Sequence, residues 1–177
     1  MSGEECVACR RPKATLNCGI CEEPLCRPCS QFLPEGSFSF LEVIPPELVH
    51  NDYCPTCFDA HVVPARTSYD GFMSHANETA VFFTTQKRAL PILKKALRWI
   101  EVDCADRDEA ILRLAFRAAE QSFNSLIEVE VTCSKVRNFG YQKSAWHGKG
   151  RPADVDVAKV ERWAGNKENL RLGQKIR

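Results

Sequence analysis

The chain lacks any long hydrophobic run. None of its 177 residues belongs to a stretch of about eighteen apolar residues, which a membrane-spanning helix needs. Residues 1–5 are acidic and lack the basic-then-apolar pattern of a secretory signal. We therefore expect a cytoplasmic protein, in a reducing compartment where cysteines stay free.

Recognisable catalytic motifs are also missing. The chain has four histidines, His50, His61, His75 and His147. They form no known motif with a nucleophile and a carboxylate, and no phosphate-binding or dinucleotide-binding glycine loop occurs. Cys104 lies among acidic residues, which raise the pKa of a thiol and make it a poor nucleophile. The sequence therefore predicts a protein without enzymatic activity.

What the chain does have is cysteine. Eight of its ten cysteines form C-x-x-C pairs in the first third, namely Cys6/Cys9, Cys18/Cys21, Cys26/Cys29 and Cys54/Cys57. Two thiolates of one pair bind an ion at about 2.3 Å, and tetrahedral zinc takes two pairs. Only four residues separate the second pair from the third, so two consecutive, independent zinc loops fit poorly.

Interleaved ligation removes this difficulty and predicts two structural Zn²⁺ ions. The first zinc takes the first and third pairs, which are Cys6, Cys9, Cys26 and Cys29. The second zinc takes the second and fourth pairs, which are Cys18, Cys21, Cys54 and Cys57. Disulfide bonds in an oxidising compartment are the alternative. Because eight thiolates saturate two sites, His50 and His61 are expected beside the ligands or on the surface.

The cysteine distribution also divides the chain into domains. We expect a zinc finger over residues 1–65, a polar linker over 66–78 and a second domain over 79–177. Residues 1–70 hold five Lys/Arg against ten Asp/Glu, a net charge of −5, which two tetrathiolate zinc sites would bring to about −9. An acidic surface of this kind favours basic or neutral protein partners over phosphate groups.

The cysteine spacing resembles that of the cross-brace FYVE/PHD/RING superfamily of zinc fingers. Residues 18–29 have the C-x2-C-x4-C-x2-C spacing of FYVE domains, and residues 53–61 resemble their last pair, in which an aromatic residue follows the final cysteine. The resemblance covers about residues 4–63. It implies a treble-clef, FYVE/PHD-like fold and, in FYVE domains, recruitment to phosphoinositide membranes.

The recognition motifs of these families are absent. The positions of the basic FYVE motif that binds phosphatidylinositol 3-phosphate are residues 14–19, which contain no basic residue, and phosphate recognition needs positive donors. Cys26 replaces the histidine of PHD fingers, Asp52 stands at the position of their tryptophan, and residues 18–21 lack the C-x-H of RING fingers. We therefore predict an adaptor module that binds a protein partner. Phosphoinositide-dependent recruitment and RING-like ubiquitin-ligase activity are the alternatives.

Before the last cysteine pair, residues 38–44 alternate partly and precede two prolines, which predicts a short strand over the zinc loops. In the second domain, a capping box of Asp106 and Glu109 starts an amphipathic helix over residues 108–123. Asn124 is expected to adopt the left-handed turn that ends this helix.

The second domain is predicted to be α+β, with a small antiparallel sheet packed on the helix. Alternation over residues 126–133 predicts a strand that buries Cys133, with a partner strand over 141–146. The element order is similar to that of YbjQ-type small α+β proteins, which implies a homo-oligomer. Residues 134–177 hold eleven Lys/Arg against four Asp/Glu, which makes nucleic acid a further candidate partner. A solvated hairpin and a helix over 155–163 are the alternative.

Overall fold

The computed structural model describes residues 4–138 and 141–164. The chain is a mixed α/β protein and divides between Asp70 and Gly71 into two compact units. In the described ranges, no helix combines the length and the apolar character that crossing a membrane requires.

The first unit contains two very short pairs of antiparallel strands. Strand β1 (Leu16–Asn17) pairs antiparallel with β2 (Pro24–Leu25), and β3 (Gln31–Phe32) pairs antiparallel with β4 (Asp52–Tyr53). Each strand is two residues long, so most of the unit is held by side-chain clusters rather than by sheet. One cluster is built around cysteines, and the other contains Leu33, Phe38, Leu48, Tyr53 and Val62.

The strand predicted over residues 38–44 does not form. Residues 38–40 are turns and 41–43 are bends. The backbone N–H of Leu41 donates to the carbonyl of Phe38 at 3.1 Å, and Gly36 adopts a φ of 78° two residues before the buried ring of Phe38. Local hydrogen bonds of this kind satisfy the backbone without a neighbouring strand. Partial alternation of apolar residues is therefore not sufficient to form a strand here.

Three helical segments follow one another after β4. They are α1 (Pro55–Cys57), a π-helical turn (Phe58–Val62) and α2 (Val63–Glu78). The boundary between the two units falls inside α2.

Residues 66–78, for which the sequence predicted a linker, are therefore helical. Their polarity is compatible with a helix because several polar side chains bond to the backbone carbonyl four residues earlier. Thr67 Oγ1, Asn77 Nδ2 and Thr79 Oγ1 make such bonds at 3.0, 2.8 and 2.9 Å. Gly71 has no atom within 4 Å of the position of a Cβ, so it lies on an open face of α2.

The second unit contains a five-stranded sheet with two further helices. Its strands are β5 (Ala80–Phe83), β6 (Ile92–Lys95), β7 (Ile100–Cys104), β8 (Ser125–Asn138) and β9 (Tyr141–Val155). Strands β8 and β9 form a long antiparallel hairpin at the centre. Strand β5 lies beside β8, and both β6 and β7 pair with the other edge of β9. The helices are α3 (Arg107–Glu120) and α4 (Val157–Ala164).

The sheet is mixed, whereas the sequence predicted a purely antiparallel sheet. Strand β5 runs parallel to β8, with Val81 opposite Leu126, whereas the other pairs are antiparallel. A parallel pair needs a long crossover connection. The chain between β5 and β8 contains β6, β7 and α3, and it is long enough to provide one.

Helix α3 begins where the sequence predicted. Asp106 Oδ1 accepts hydrogen bonds from the backbone N–H groups of Asp108 at 2.9 Å and Glu109 at 3.0 Å, and so caps the helix. The carboxylate of Glu109 forms an ion pair with Arg113 at 2.9 Å, one turn along the helix.

The end of α3 differs from the prediction. Ser122, not Asn124, has the left-handed φ of 60°, and the N–H of Phe123 donates to the carbonyl of Ala118 at 3.0 Å, as in a Schellman motif. Asn124 instead forms two side-chain hydrogen bonds to the backbone of Val155, at 2.9 and 3.1 Å. Asn124 therefore joins the start of β8 to the end of β9.

Helix α3 covers one face of the sheet at its glycines. A Cβ on Gly148 would lie 3.2 Å from Leu114 Cδ1 and 3.2 Å from Val102 Cγ2, so the helix approaches β9 closely here. A second buried cluster contains Phe82, Ile127, Ala153, Val155 and, from α4, Val160.

A β-bulge interrupts the alternation of β8. The register with β9 shifts between Ile127 and Glu130, and Glu128 within the shift has a φ of 54°. As a result, Leu126 and Val129, three residues apart, both contact the position of a Cβ on Gly150.

The expectation that Cys133 is a core residue is wrong, because its side chain is exposed. The reason is length. The fourteen residues of β8 extend about 45 Å, whereas the fourteen residues of α3 extend about 21 Å. The helix cannot cover the whole strand.

Candidate metal centre

The structure brings together the two cysteine sets that the sequence grouped. In the first, the Sγ atoms of Cys6, Cys9, Cys26 and Cys29 all lie within 4.8 Å of one another. In the second, the Sγ atoms of Cys18, Cys21, Cys54 and Cys57 do the same. The four pairs therefore alternate between two tetracysteine groups.

The sulfur spacing fits a tetrahedral zinc ion. Four sulfurs at about 2.3 Å from one ion are about 3.8 Å apart. Cys9 Sγ lies 3.7 Å from Cys26 Sγ in the first group, and Cys21 Sγ lies 3.9 Å from Cys54 Sγ in the second. A disulfide needs about 2.05 Å, and all ten cysteines are free thiols. Each group can therefore hold a zinc ion.

Two of the four pairs have the same backbone turn. The N–H of Arg10 donates to the carbonyl of Cys6 at 2.8 Å, and the N–H of Glu22 donates to that of Cys18 at 2.9 Å. Arg10 and Glu22 also share a left-handed φ, at 61° and 60°. The turn aims both sulfurs of its pair at one point. Neither residue is a glycine, so the residue types do not indicate this conformation at either position.

The other two pairs lie on helical turns. Cys26 precedes a 3₁₀ turn, Arg27–Cys29, and Cys54 precedes α1. The N–H of Cys57 donates to Cys54 Sγ at 3.4 Å. Each turn has a proline in its first positions, where the missing N–H needs no partner. Each tetracysteine group thus joins one knuckle to one helical turn.

The β1/β2 hairpin explains how one short segment serves both groups. Its turn carries Cys18 and Cys21, and Cys26 follows β2 directly. The N–H of Val7 donates to the carbonyl of Pro24 at 2.8 Å, which holds the first knuckle against the hairpin. Because the turn and the end of the hairpin point to different groups, four intervening residues are sufficient.

Hydrogen bonds stabilise a thiolate in each group. The backbone N–H of Cys26 is the largest of the contributions that lower the pKa of Cys6 to about 6. Burial raises the pKa of Cys18, but backbone N–H groups, including those of Cys54 and Cys21, outweigh it and lower the pKa to about 6. The N–H of Cys54 lies 3.3 Å from Cys18 Sγ.

The last cysteine of each group, Cys29 in the first and Cys57 in the second, is harder to ionise without a metal. The side chains of Cys26 and then Cys9 raise the pKa of Cys29 to about 12. Burial, followed by the side chain of Cys54, raises the pKa of Cys57 well above its usual range. Thiolates crowded in this way repel one another, and a divalent cation at the centre removes that cost.

A close contact supports the second group from outside. A Cβ on Gly19 would lie 2.8 Å from His50 Cδ2 and closer still to its Cβ and Cγ, so only glycine fits there. The buried hydroxyl of Tyr53 lies 3.0 Å from the carbonyl oxygens of Glu47 and His50, to which it donates. His50 thus packs beside the ligands, and neither it nor His61 belongs to a tetracysteine group.

No protein-family model, no curated protein and no solved structure matches this chain.

Proposed function

We propose that the first unit is a two-zinc, FYVE-like cross-brace finger that acts as a protein-binding adaptor module in the cytoplasm. The observation that carries the proposal is the alternation of four cysteine pairs between two groups of four sulfurs, each close enough to hold one ion. The combination, in each group, of a knuckle with a short helical turn supports a treble-clef arrangement.

The zinc ions would be structural. Four thiolates close the coordination of each ion and leave no position for water or substrate, whereas catalytic zinc keeps one position open. The groups therefore support folding rather than chemistry at the metal.

Folding of the first unit would depend on these ions. Its two buried clusters contain five residues each, and the first consists of four cysteines and Leu25. Such cores contribute only a few kcal/mol once chain entropy is counted, whereas each structural zinc contributes of order 10 kcal/mol.

The surface of the unit favours a basic, partly apolar protein partner. Phe32, Val43 and Val49 are 61, 78 and 57 % exposed, and the acidic side chains Glu42 and Glu47 lie in the same part of the chain as the two valines. Peptides with basic and apolar residues complement both properties. Recruitment to phosphoinositides is the second candidate, because exposed apolar residues can also contact a bilayer.

Metal analysis tests the finger. Elemental analysis of the purified full chain should find two zinc ions per molecule, and removal of zinc by a chelator should abolish hydrogen-exchange protection in residues 4–70. Cys104→Ser should keep both ions, whereas Cys6→Ser should lose one. Absence of bound metal, or mass spectrometry that finds the eight thiols oxidised in pairs, would refute the finger.

Binding assays test the partner class. We expect the zinc-loaded full chain to bind immobilised peptides more tightly as their positive charge rises. Glu42→Lys combined with Glu47→Lys should weaken this binding, whereas Glu130→Lys with Glu161→Lys, an equal charge change in the second unit, should not. Flotation with vesicles that contain phosphatidylinositol 3-phosphate, but not with vesicles that lack it, would favour the lipid function instead.

A further inference from the structure

The central hairpin extends beyond the rest of the sheet. Strand β5 pairs with β8 only as far as Phe83 opposite Val129, and β7 pairs with β9 only as far as Cys104 opposite Trp146. Beyond these points, and among the residues that the structure describes, β8 and β9 pair only with each other. We call this two-stranded ribbon the arm; its described side chains are residues 134–136 and 143–145.

Both faces of the arm are uncovered. The side chains of Ser134, Lys135 and Val136 are exposed, and so are those of Lys143 and Ser144. Side chains alternate between the faces of a strand, so this run exposes both of them. Val136 is 48 % exposed. An isolated two-stranded ribbon has little stability of its own, and the length of this one points to a use outside the core.

The arm carries charge of one sign. Residues 131–145 contain Lys135, Arg137 and Lys143 and no acidic residue. The neighbouring part of the sheet is balanced instead. There Lys149 pairs with Glu101 at 3.2 Å, and His147 Nδ1 lies 2.9 Å from Asp103 Oδ1. Among the described side chains, lysines without an acidic partner, Lys135 and Lys143, therefore begin where the ribbon leaves the sheet.

The two described lysines of the arm project from opposite faces. Lys135 lies opposite Ser144 and Lys143 lies opposite Val136, in adjacent pairs of the ladder. Because adjacent pairs face opposite sides, a ribbon between two phosphate backbones presents one lysine to each. We propose that the arm binds duplex DNA by entering the major groove, which is about 12 Å wide and admits a two-stranded ribbon.

Other occupants fit less well. Pairing with the arm of a second copy brings like charges together across the new ladder, which is unfavourable. The major groove of duplex RNA is too narrow and deep for side chains to enter. Acidic membranes match the charge but not the shape of a thin ribbon with cations on both faces.

Fluorescence anisotropy of the zinc-loaded full chain with a labelled DNA duplex of about two helical turns tests the proposal. The salt dependence is measured between about 50 and 200 mM. Lys135→Ala with Lys143→Ala should lower the slope of log K against log salt by about 1.8 and weaken binding at least about tenfold. The matched control, Lys13→Ala with Lys87→Ala, removes the same charge from two exposed lysines elsewhere and should change neither quantity as much.

Each outcome decides the question. The proposal is supported if the arm variant alone loses affinity and slope while its thermal unfolding matches that of wild type. It is overturned if the two double variants bind DNA equally, or if duplex RNA binds as tightly as DNA. It is also overturned if the arm variant changes self-association or binding to phosphatidylserine vesicles and leaves DNA binding intact.

Discussion

Gly19→Ala should disrupt the second tetracysteine group although it leaves every ligand in place. The new Cβ would lie 2.8 Å from His50 Cδ2 and closer to His50 Cβ and Cγ, where ordinary contacts are 3.4–4 Å. His50 must move by roughly 1 Å, which costs about 1–3 kcal/mol by overpacking. Its carbonyl accepts from the Tyr53 hydroxyl, which also lies 3.0 Å from the carbonyl of Glu47, so disturbing this bond leaves the hydroxyl a partner and adds little to the cost.

The cost is therefore about 2 kcal/mol, which corresponds to a loss of about thirtyfold in affinity for the second zinc. Competition with a chromophoric chelator on the full chain measures it. The first knuckle is the internal control, because Val7 occupies the position equivalent to Gly19 and already carries a side chain. The turn itself therefore tolerates a Cβ, and Val7→Ala should leave the affinity for the first zinc nearly unchanged.

Two second substitutions at His50, each combined with Gly19→Ala, make the test specific. His50→Gly removes the Cβ that clashes and should reduce the penalty of Gly19→Ala, whereas His50→Ala keeps that Cβ and should reduce it less. The reasoning fails if Gly19→Ala binds zinc like wild type, or if both second substitutions rescue it equally.

Three further changes have defined outcomes. Asp106→Ala removes the N-cap of α3 and should lower the free energy of unfolding by about 1 kcal/mol, whereas Asp106→Asn should lower it much less. Urea unfolding followed by tryptophan fluorescence measures this, since all three tryptophans follow residue 71. In the same assay, Gly148→Val should lower the free energy of unfolding by about 2 kcal/mol or more because α3 lies against this glycine. Gly71→Ala, on an open helix face, should raise it by up to about 1 kcal/mol. Equal effects of the two substitutions would refute the close approach of α3 to Gly148. Cys18→Ser should remove one zinc from the elemental analysis, and exposed Cys133→Ser should keep both and change stability by less than about 0.5 kcal/mol; loss of zinc in the latter would contradict the assignment.

The cysteine groups were accessible from the sequence because a C-x-x-C pair is a local unit. The short spacing between Cys21 and Cys26 excluded simple consecutive loops and so indicated interleaving, which the structure shows. The left-handed residues Arg10 and Glu22 were not accessible, since both residue types usually avoid that conformation. Here the metal-site geometry requires the turn, and local preference does not decide it.

Helix α3 illustrates the same division. Its start depends on hydrogen bonds between near neighbours, and Asp106 was identified as its cap. Its end was misplaced by two residues, because Asn124 is drawn to the backbone of Val155, thirty-one residues away. The helical character of residues 66–78 was likewise missed, because polar residues and a glycine are typical of a linker. The hydrogen bonds from polar side chains to the backbone of α2 became visible only in the structure.

The sequence by itself determined which sulfurs belong together, where α3 begins and that β8 forms a hairpin with a following strand. Each of these follows from spacing or patterning over short distances. Only the tertiary structure decided that β5 joins the sheet in parallel, that Gly19 is required by His50 and that Cys133 faces solvent at the base of the arm. These features depend on which distant segments meet and on how far a helix can cover a longer strand, and a local pattern does not contain that information.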